Sequence, residues 1–229
     1  MDKIIVALDF DTMDEVKAAV DKLGSDILWY KVGLQLFLAE GEKVLTYLAS
    51  KNKKIFLDLK FFDIPNTVAG AVKNACRMGA QMTTLHAIGG SRMIEAAANI
   101  IAKEKSDMTL LAVTILTSTD ETILVNDMGL ASPIESQVVR LARMAANAGA
   151  GGMVCSPFEI SAVRSVVGKR VIVTPGVRMS GESVHDQKRV KTPMEAINEG
   201  SDYIVMGRSI TGSKDPSEVI RAVASGIHR

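Results

Sequence analysis

Cysteine is scarce in this chain, and its scarcity excludes two kinds of site. Cys76 and Cys155 are the only cysteines, and no Cys-x-x-Cys motif is present. Two isolated thiols do not form a disulfide framework, and their spacing does not indicate a zinc site. We expect both thiols to be reduced and buried.

An excess of charge of one sign is also missing. The 229 residues include 27 basic and 26 acidic side chains, which leave a net charge of +1. Nucleic acids and anionic membranes are bound through strongly basic surfaces. The balanced charge therefore favours a small-molecule ligand.

Long apolar runs are lacking as well. No stretch approaches the roughly 20 apolar residues that a transmembrane helix needs. Residues 1–9 lead directly into a strand pattern, without the basic segment and long apolar region of a secretion signal. These features predict a cytoplasmic protein.

What the chain does contain is a regular alternation of short apolar, β-branched segments with longer amphipathic ones, which is typical of βα units around a parallel sheet. The eight predicted strands are 4–10, 27–34, 54–60, 82–87, 109–116, 152–156, 170–175 and 203–208. The predicted helices include 13–23, 42–50, 66–78, 91–103, 134–147, 157–167 and 216–225.

Eight strand and helix pairs in a chain of this length predict an α/β fold of the (β/α)₈ TIM-barrel type, which needs about 200 to 250 residues. We expect a single barrel domain over residues 1–229. The alternative is an open doubly wound sheet, which usually has a glycine-rich turn after its first strand. Asp9-Phe10-Asp11-Thr12 stands at that point instead.

Polar residues follow the predicted strands at their carboxyl ends, where barrel enzymes place their chemistry. Such residues come at or near the end of every predicted strand, and they include Asp9, Lys31, Asp58, Lys60, His86, Thr117, Ser156, Gly176 and Arg208. This arrangement predicts an active site at one rim of the barrel.

The third predicted strand ends in an unusual concentration of charge. Strand alternation sends Asp58 and Lys60 to the same face, and Asp63 adds a third charge nearby. Burial of unpaired charge is costly, so these groups either form a structural ion pair or are held ready for chemistry. Lys31, on the neighbouring strand, either extends to the solvent or joins this cluster, and we favour the cluster. Lysines among the carboxylates would repel a divalent cation, so no metal site is predicted.

The last two strands are followed by segments suited to an anion. Gly207-Arg208-Ser209 and Pro175-Gly176-Val177-Arg178 stand where barrels commonly bind phosphate through amides and a cation. The alternative is that Arg208 pairs with an acidic surface residue. The polar segment 179–192 is long enough for a lid, and Gln187 or Arg178 could then close over a phosphate; the alternative is a plain solvated loop.

The run Asp58-x-Lys60-x-x-Asp63-Ile64-Pro65-x-Thr67 resembles the signature of the orotidine 5′-monophosphate decarboxylase family. Further blocks are similar to that family, in the same order across essentially the whole chain. They are Ala7-Leu8-Asp9, Lys31-Val32-Gly33, Leu116-Thr117-Ser118, Thr174-Pro175-Gly176-Val177-Arg178, Asp186-Gln187-Lys188-Arg189 and Val205-Met206-Gly207-Arg208-Ser209-Ile210.

The resemblance implies a homodimeric barrel that converts orotidine 5′-monophosphate (OMP) to uridine 5′-monophosphate (UMP) and carbon dioxide in de novo pyrimidine synthesis. No cofactor or metal is implied. Lys60 would be the proton donor, in a catalytic array of alternating charge with Lys31, Asp58 and Asp63. Asp63 would reach into the partner subunit's site.

The resemblance also implies a set of substrate-binding residues beside this array. Asp9, Lys31 and Thr67 would bind the ribose hydroxyls, with Thr67 reaching across the dimer. Thr117 would lie near the pyrimidine. The phosphate would be held, or covered, by Arg178, Gln187, Gly207 and Arg208, and Ile64 and Pro175 complete the substrate-binding set.

Two other functions stay open. Magnesium-dependent sugar-phosphate lyases of the same barrel type, such as 3-keto-L-gulonate 6-phosphate decarboxylase or hexulose phosphate synthase, share the Asp-x-Lys-x-x-Asp run. They have an acidic ligand where this chain has Lys31, so Lys31 and the Ile64-Pro65-Asn66-Thr67 continuation favour the orotidine enzyme. A catalytically silent nucleotide-phosphate sensor would retain Arg208 and lose the charged array, and all four charges are present here.

Overall fold

The computed structural model describes residues 2–178 and 191–227. Its parallel strands form a closed barrel in which each strand pairs with the next one in the sequence and the last pairs with the first. The strands are β1 (Ile4–Ala7), β2 (Trp29–Gly33), β3 (Lys54–Phe61), β4 (Met82–His86), β5 (Thr109–Val113), β6 (Gly152–Val154), β7 (Val171–Thr174) and β8 (Tyr203–Met206). The predicted (β/α)₈ TIM barrel is confirmed.

Helices follow the strands and cover the outside of the barrel. In the described residues they are α1 (Met13–Leu23), α2 (Leu34–Glu40), α3 (Glu42–Ser50), α4 (Pro65–Arg77), α5 (Ser91–Lys103), α6 (Ile134–Asn147), α7 (Ile160–Val167), α8 (Pro193–Asn198), α9 (Arg208–Thr211) and α10 (Pro216–Ile227). A 3₁₀ turn spans Ala87–Gly89, and a π-helix spans Ile123–Asp127. None of these helices is both long and apolar enough to cross a lipid bilayer.

Several predicted boundaries were wrong, mostly at the carboxyl ends of strands. β1 ends at Ala7 and β5 ends at Val113, three residues earlier than predicted in both cases. Polar residues such as Asp9 and Thr117 therefore lie in the loops just beyond the strands. The short helices α2, α8 and α9 were not predicted, because four to seven residues are too few to show a helical period.

Two apolar layers hold the barrel together. Inward-facing side chains of the strands fill its interior, and they include Ile5, Phe56, Met82, Leu111 and Val173. The alternate side chains of the same strands face outward and pack with the helices in a larger, continuous core. Above the inner layer, at the carboxyl end of the strands, the described residues form a cavity.

Capping residues and a proline determine where several helices begin after the rim of the barrel. Thr12 caps α1, because its hydroxyl accepts the Glu15 amide and the Glu15 carboxylate accepts the Thr12 amide in return. Thr192 and Glu195 form the same reciprocal cap at the start of α8. Pro65 begins α4 at its first turn, where its missing N–H costs nothing.

β3 is irregular at the point where it enters the candidate site. Leu57 is paired with Thr83 of β4, but the next pair is Phe61 with Leu85. Three residues, 58–60, therefore lie opposite Thr84 alone. Within this bulge Lys60 has a φ of +50°, in the left-handed region that non-glycine residues rarely adopt.

Candidate active site

A cavity of about 340 Å³ opens at the carboxyl end of the barrel. Its lower wall is apolar and is formed by side chains such as Phe56, Val113 and Val173. Its rim brings together the predicted site residues Asp9, Lys31, Asp58, Lys60, Thr117, Pro175, Arg178, Gly207 and Arg208. The rim predicted from the sequence is therefore the mouth of one pocket.

One side of the cavity holds a charged cluster formed by Asp9, Lys31, Asp58 and Lys60. The Lys60 ammonium lies 2.8 Å from Asp58 Oδ2, and the Lys31 ammonium lies 3.1 Å from Asp9 Oδ1. Lys31 Nζ is also 4.0 Å from Asp58 Oδ2, so acidic and basic groups alternate along the cluster. The side chains of Lys31 and Asp58 are only 13% and 11% exposed, which weakens screening by water.

The bulge in β3, and not regular alternation alone, brings Asp58 and Lys60 together. Both residues line the cavity as predicted. The Lys60 amide donates to Thr84 Oγ1 at 2.9 Å, and Thr84 Oγ1 donates to Asp58 Oδ1 at 2.8 Å. Thr84 is fully buried beneath the cluster.

Gly33 makes room for the second lysine of the cluster. A Cβ at this position would lie 3.0 Å from Lys31 Nζ and 3.9 Å from Asp9 Oδ1. Even an alanine would press on the ammonium at the point where it meets Asp9. The absence of a side chain at Gly33 therefore preserves the Lys31–Asp9 contact.

A second side of the cavity, which we call the arginine side, consists of Pro175, Gly176, Arg178, Gly207 and Arg208. It combines two guanidinium side chains with two glycines, which leave the backbone accessible. The Arg178 amide donates to the Lys191 carbonyl oxygen at 3.1 Å, next to a bridge between Val177 and Lys191. Such a combination of cations and open backbone suits an anionic group.

Three of the predicted site residues do not line the cavity of their own chain. Asp63, Ile64 and Thr67 lie beyond β3 and are exposed. Within the described residues, the Asp63 carboxylate accepts the neighbouring Ile64 amide at 2.6 Å. Gln187 was also predicted to bind, and it lies outside the described residues.

His86 stands next to the charged cluster at the end of β4. Its ring meets Phe62 edge to face, with 6.1 Å between the ring centroids. Burial lowers the pKa of His86 below its ordinary value, and the nearby Lys60 ammonium lowers it further, while Asp58 acts in the opposite direction. Burial and the Lys60 ammonium therefore both favour the neutral form of the His86 ring.

A metal site is not evident in the part of the chain that the structure describes. In residues 2–178 and 191–227 there is no cluster of three or more histidine, cysteine, aspartate or glutamate side chains that could hold a metal ion. Asp9 and Asp58 are the acidic groups of the cavity, and each of them contacts a lysine. The basic residues that line the cavity in this part of the chain are Lys31, Lys60, Arg178 and Arg208.

Sequence reasoning missed two supporting residues, Gly33 and Thr84. Gly33 stood within the Lys31-Val32-Gly33 block, but its role depends on where the Lys31 ammonium lies in space. Thr84 had one visible signal, because Thr83 and Thr84 are successive hydroxyl residues between the apolar Met82 and Leu85. The bulge opposite Thr84 could not be seen in the sequence.

Comparisons with known proteins match the chain to one family over nearly its whole length. A family model described as orotidine 5′-phosphate decarboxylase / HUMPS family matches residues 2–223. An orotidine 5′-phosphate decarboxylase of Anaeromyxobacter sp. (strain K) is 45% identical over 227 residues, which cover 99% of this chain and 98% of that protein. Another, from Moorella thermoacetica, is 44% identical over 232 residues, which cover 99% and 92%. The crystal structure of orotidine 5′-phosphate decarboxylase from Lactobacillus acidophilus matches with a TM-score of 0.88 at 36% identity, over 100% of both chains.

Proposed function

Because this chain belongs to the orotidine 5′-phosphate decarboxylase / HUMPS family, we propose that it removes carbon dioxide from C6 of OMP and delivers a proton there to form UMP. The family predicted from the sequence is confirmed by the match over residues 2–223. The predicted enzyme class, a decarboxylase of pyrimidine biosynthesis, is confirmed by relatives of that name at 44–46% identity. One observation carries the proposed mechanism: the Lys60 ammonium is held 2.8 Å from Asp58 at the wall of the cavity.

Loss of carbon dioxide creates a specific electrostatic problem at C6. The C6–carboxylate bond breaks and leaves its electron pair in an sp² orbital, which the π system of the pyrimidine cannot delocalise. A cation next to C6 stabilises this carbanion and then protonates it. Lys60 would do both: its N–H proton goes to C6, and the amine that remains regains a proton from water.

The charged cluster supplies this stabilisation in a form that needs no rearrangement. Enzymes lower barriers by about 8 to 23 kcal/mol, and this reaction needs the upper part of that range. Fixed charges in a site that excludes water are an effective source, because they are already oriented when charge develops. Asp58 contacts both lysines of the cluster and would keep the Lys60 ammonium aimed at C6.

The rest of the substrate fits the two sides of the cavity. The arginine side would hold the phosphate through Arg178 and Arg208, with Gln187 as an additional contact. Asp9 and Lys31 would bind the ribose hydroxyls, and Thr117 would lie near the pyrimidine. Binding energy from the remote phosphate would help to place C6 against Lys60.

We also propose that the active form is a homodimer. Asp63 and Thr67 are exposed outside their own cavity, so a second copy would have to supply them to the site. Large apolar side chains are exposed nearby, in the segments that follow β2, β3 and β4, and they are Leu34, Leu38, Phe62, Ile64 and Ile88. An exposed apolar surface of this kind is typical of an interface.

For a biosynthetic enzyme with free thiols at both cysteines, we propose a cytoplasmic location.

The test is the loss of OMP absorbance in the ultraviolet, measured with a chelator present. Rapid conversion to UMP and carbon dioxide is the expected result. The magnesium-dependent sugar-phosphate lyases of the same barrel type are the alternative. Failure with OMP, together with decarboxylase or aldolase activity on a sugar phosphate once magnesium is added, would overturn the proposal.

A further inference from the structure

Thr84 occupies an unusual position under the charged cluster. It is the only residue of β4 opposite the three bulged residues 58–60 of β3. Its side chain is fully buried, and its hydroxyl contacts both members of the Asp58–Lys60 pair. Among the described residues, no other side chain has hydrogen bonds to both Asp58 and the Lys60 amide.

The hydrogen bond from the Lys60 amide determines where the Thr84 hydroxyl donates its own proton. The Lys60 amide has a proton and no lone pair to offer, so it donates to Thr84 Oγ1 at 2.9 Å. A hydroxyl has a single proton. That proton points to Asp58 Oδ1, 2.8 Å away. The other carboxylate oxygen, Oδ2, remains free to face the Lys60 ammonium at 2.8 Å.

We propose that Thr84 is a positioning residue for the decarboxylation, which fixes Lys60 through its backbone and Asp58 through its carboxylate. This inference rests on the proposed function. Lys60 has a φ of +50°, an unfavourable conformation that its surroundings must maintain. The bulge removes the ladder partner of the Lys60 amide, and the Thr84 hydroxyl replaces it. Loss of the hydroxyl would leave this amide unpaired and would free Asp58 to rotate.

Thr83 provides a matched comparison within the same strand. It is also fully buried, and its hydroxyl also donates to the bulged strand, to the Leu57 carbonyl oxygen at 3.0 Å. Its side chain lies on the other face of β4 and has no hydrogen bond to Asp58 or Lys60. Thr83 and Thr84 therefore stabilise the same bulge, and only Thr84 contacts the charged cluster.

The test compares Thr84→Val, Thr84→Ser and Thr83→Val for kcat and KM with OMP and for thermal unfolding. We expect Thr84→Val to lower kcat by about 10- to 100-fold, because small displacements of a reacting group cost factors of this size. KM should change much less. Thr84→Ser keeps the hydroxyl and should restore most of kcat. Thr83→Val should lower Tm comparably while kcat stays close to that of the parent.

Equal losses of kcat in Thr84→Val and Thr83→Val would overturn the inference, and so would an unchanged kcat in Thr84→Val. Crystal structures of both valine variants give a readout that is independent of activity. In Thr84→Val the Lys60 ammonium should leave hydrogen-bond distance of Asp58, and in Thr83→Val it should stay. An unmoved Lys60 in Thr84→Val would contradict the positioning role. A parent protein that does not decarboxylate OMP would instead contradict the proposed function, and the two structures would still decide the role of Thr84.

Discussion

The two sides of the cavity are built in different ways. In the charged cluster each side chain contacts another of opposite charge, and the residues come from strands or from positions just beyond them. The arginine side comes from the loops after β7 and from the start of α9 after β8, and it combines cations with glycines. The first arrangement suits groups that must already be in place when charge develops, and the second suits a ligand that brings its own negative charge.

This difference predicts that damage to the charged cluster lowers kcat and that damage to the arginine side raises KM. A group that acts only on the transition state affects kcat and kcat/KM together, whereas a group that binds the substrate and the transition state equally affects KM. Three changes test this contrast, and a fourth tests the electrostatic environment beside the charged cluster.

Lys60→Ala should have the largest effect. We expect kcat to fall by at least about 10⁴-fold, because in the proposed mechanism the same group would both stabilise the carbanion and donate the proton. UMP binding should be largely retained, since the product has no carbanion at C6. Stopped-flow absorbance and calorimetry measure the two quantities. Lys54→Ala is a control from the amino end of the same strand, where the ammonium lies over the Trp29 ring, 5.2 Å from its centroid. Near-normal turnover of Lys60→Ala would remove Lys60 from the mechanism.

Arg208→Ala should have the next largest effect, and mainly on KM. A charge-assisted hydrogen bond is worth about 1.5 to 3 kcal/mol, so KM for OMP should rise about 10- to 100-fold. Orotidine, which lacks the phosphate, is the matched control substrate. Its slow turnover should be the same for the parent and for Arg208→Ala. An equal loss with both substrates would show that Arg208 does not act through the phosphate.

Glu199→Gln should have a smaller effect on the same side. Glu199 holds the Lys191 ammonium at 2.6 Å, and the Lys191 carbonyl oxygen accepts the Arg178 amide. Weakening this link should lower kcat/KM for OMP by about two- to fivefold, the scale of a partly exposed ion pair. Glu104→Gln breaks a comparable contact, with Arg77 at 3.1 Å between α4 and α5, and should leave kcat/KM unchanged. Equal effects of the two variants would argue against a link to Arg178.

The smallest effect should be a pH dependence of stability caused by His86. Burial and Lys60 lower the pKa of His86 in the folded protein, so the unfolded chain binds more protons as the pH falls. This contribution to stability is fully present above about pH 6.5, the ordinary value for histidine, and it is lost as the pH falls toward the folded pKa. Urea unfolding between pH 5 and 8 measures it. His86→Asn should flatten the curve in this window, and an unchanged curve would show that another group titrates.

The barrel and most of its rim could be predicted because they depend on local signals. Each strand has an apolar, β-branched run and each long helix has an amphipathic period, so α1, α3, α5 and α6 have the predicted bounds. The residues of the cavity could be predicted for a related reason. Parallel strands bring their carboxyl ends to one rim, so Asp9, Lys60 and Arg208 meet although they are far apart in sequence.

The features that could not be predicted depend on the relation between neighbouring strands. Alternation alone would place Lys60 in a regular strand, but the bulge gives it a φ of +50° and makes Thr84 its backbone partner. Such a shift in register is set by pairing across the sheet. The role of Gly33 likewise depends on a distance of 3.0 Å to an ammonium group, which no residue pattern shows.

The bulge in β3 also limits how this chain can change in length. Removal of Asp58 or Lys60 would delete one charge of the pair. Removal of Leu59 would move either the carboxylate or the ammonium to the outer face of the barrel, among the apolar side chains that pack with the helices. Insertion of one residue would do the same. Substitutions elsewhere in the strand change the volume of a side chain. An insertion or deletion here changes whether a charged side chain faces the interior or the outside of the barrel. We therefore expect libraries with single-residue deletions to lose activity abruptly at these three positions.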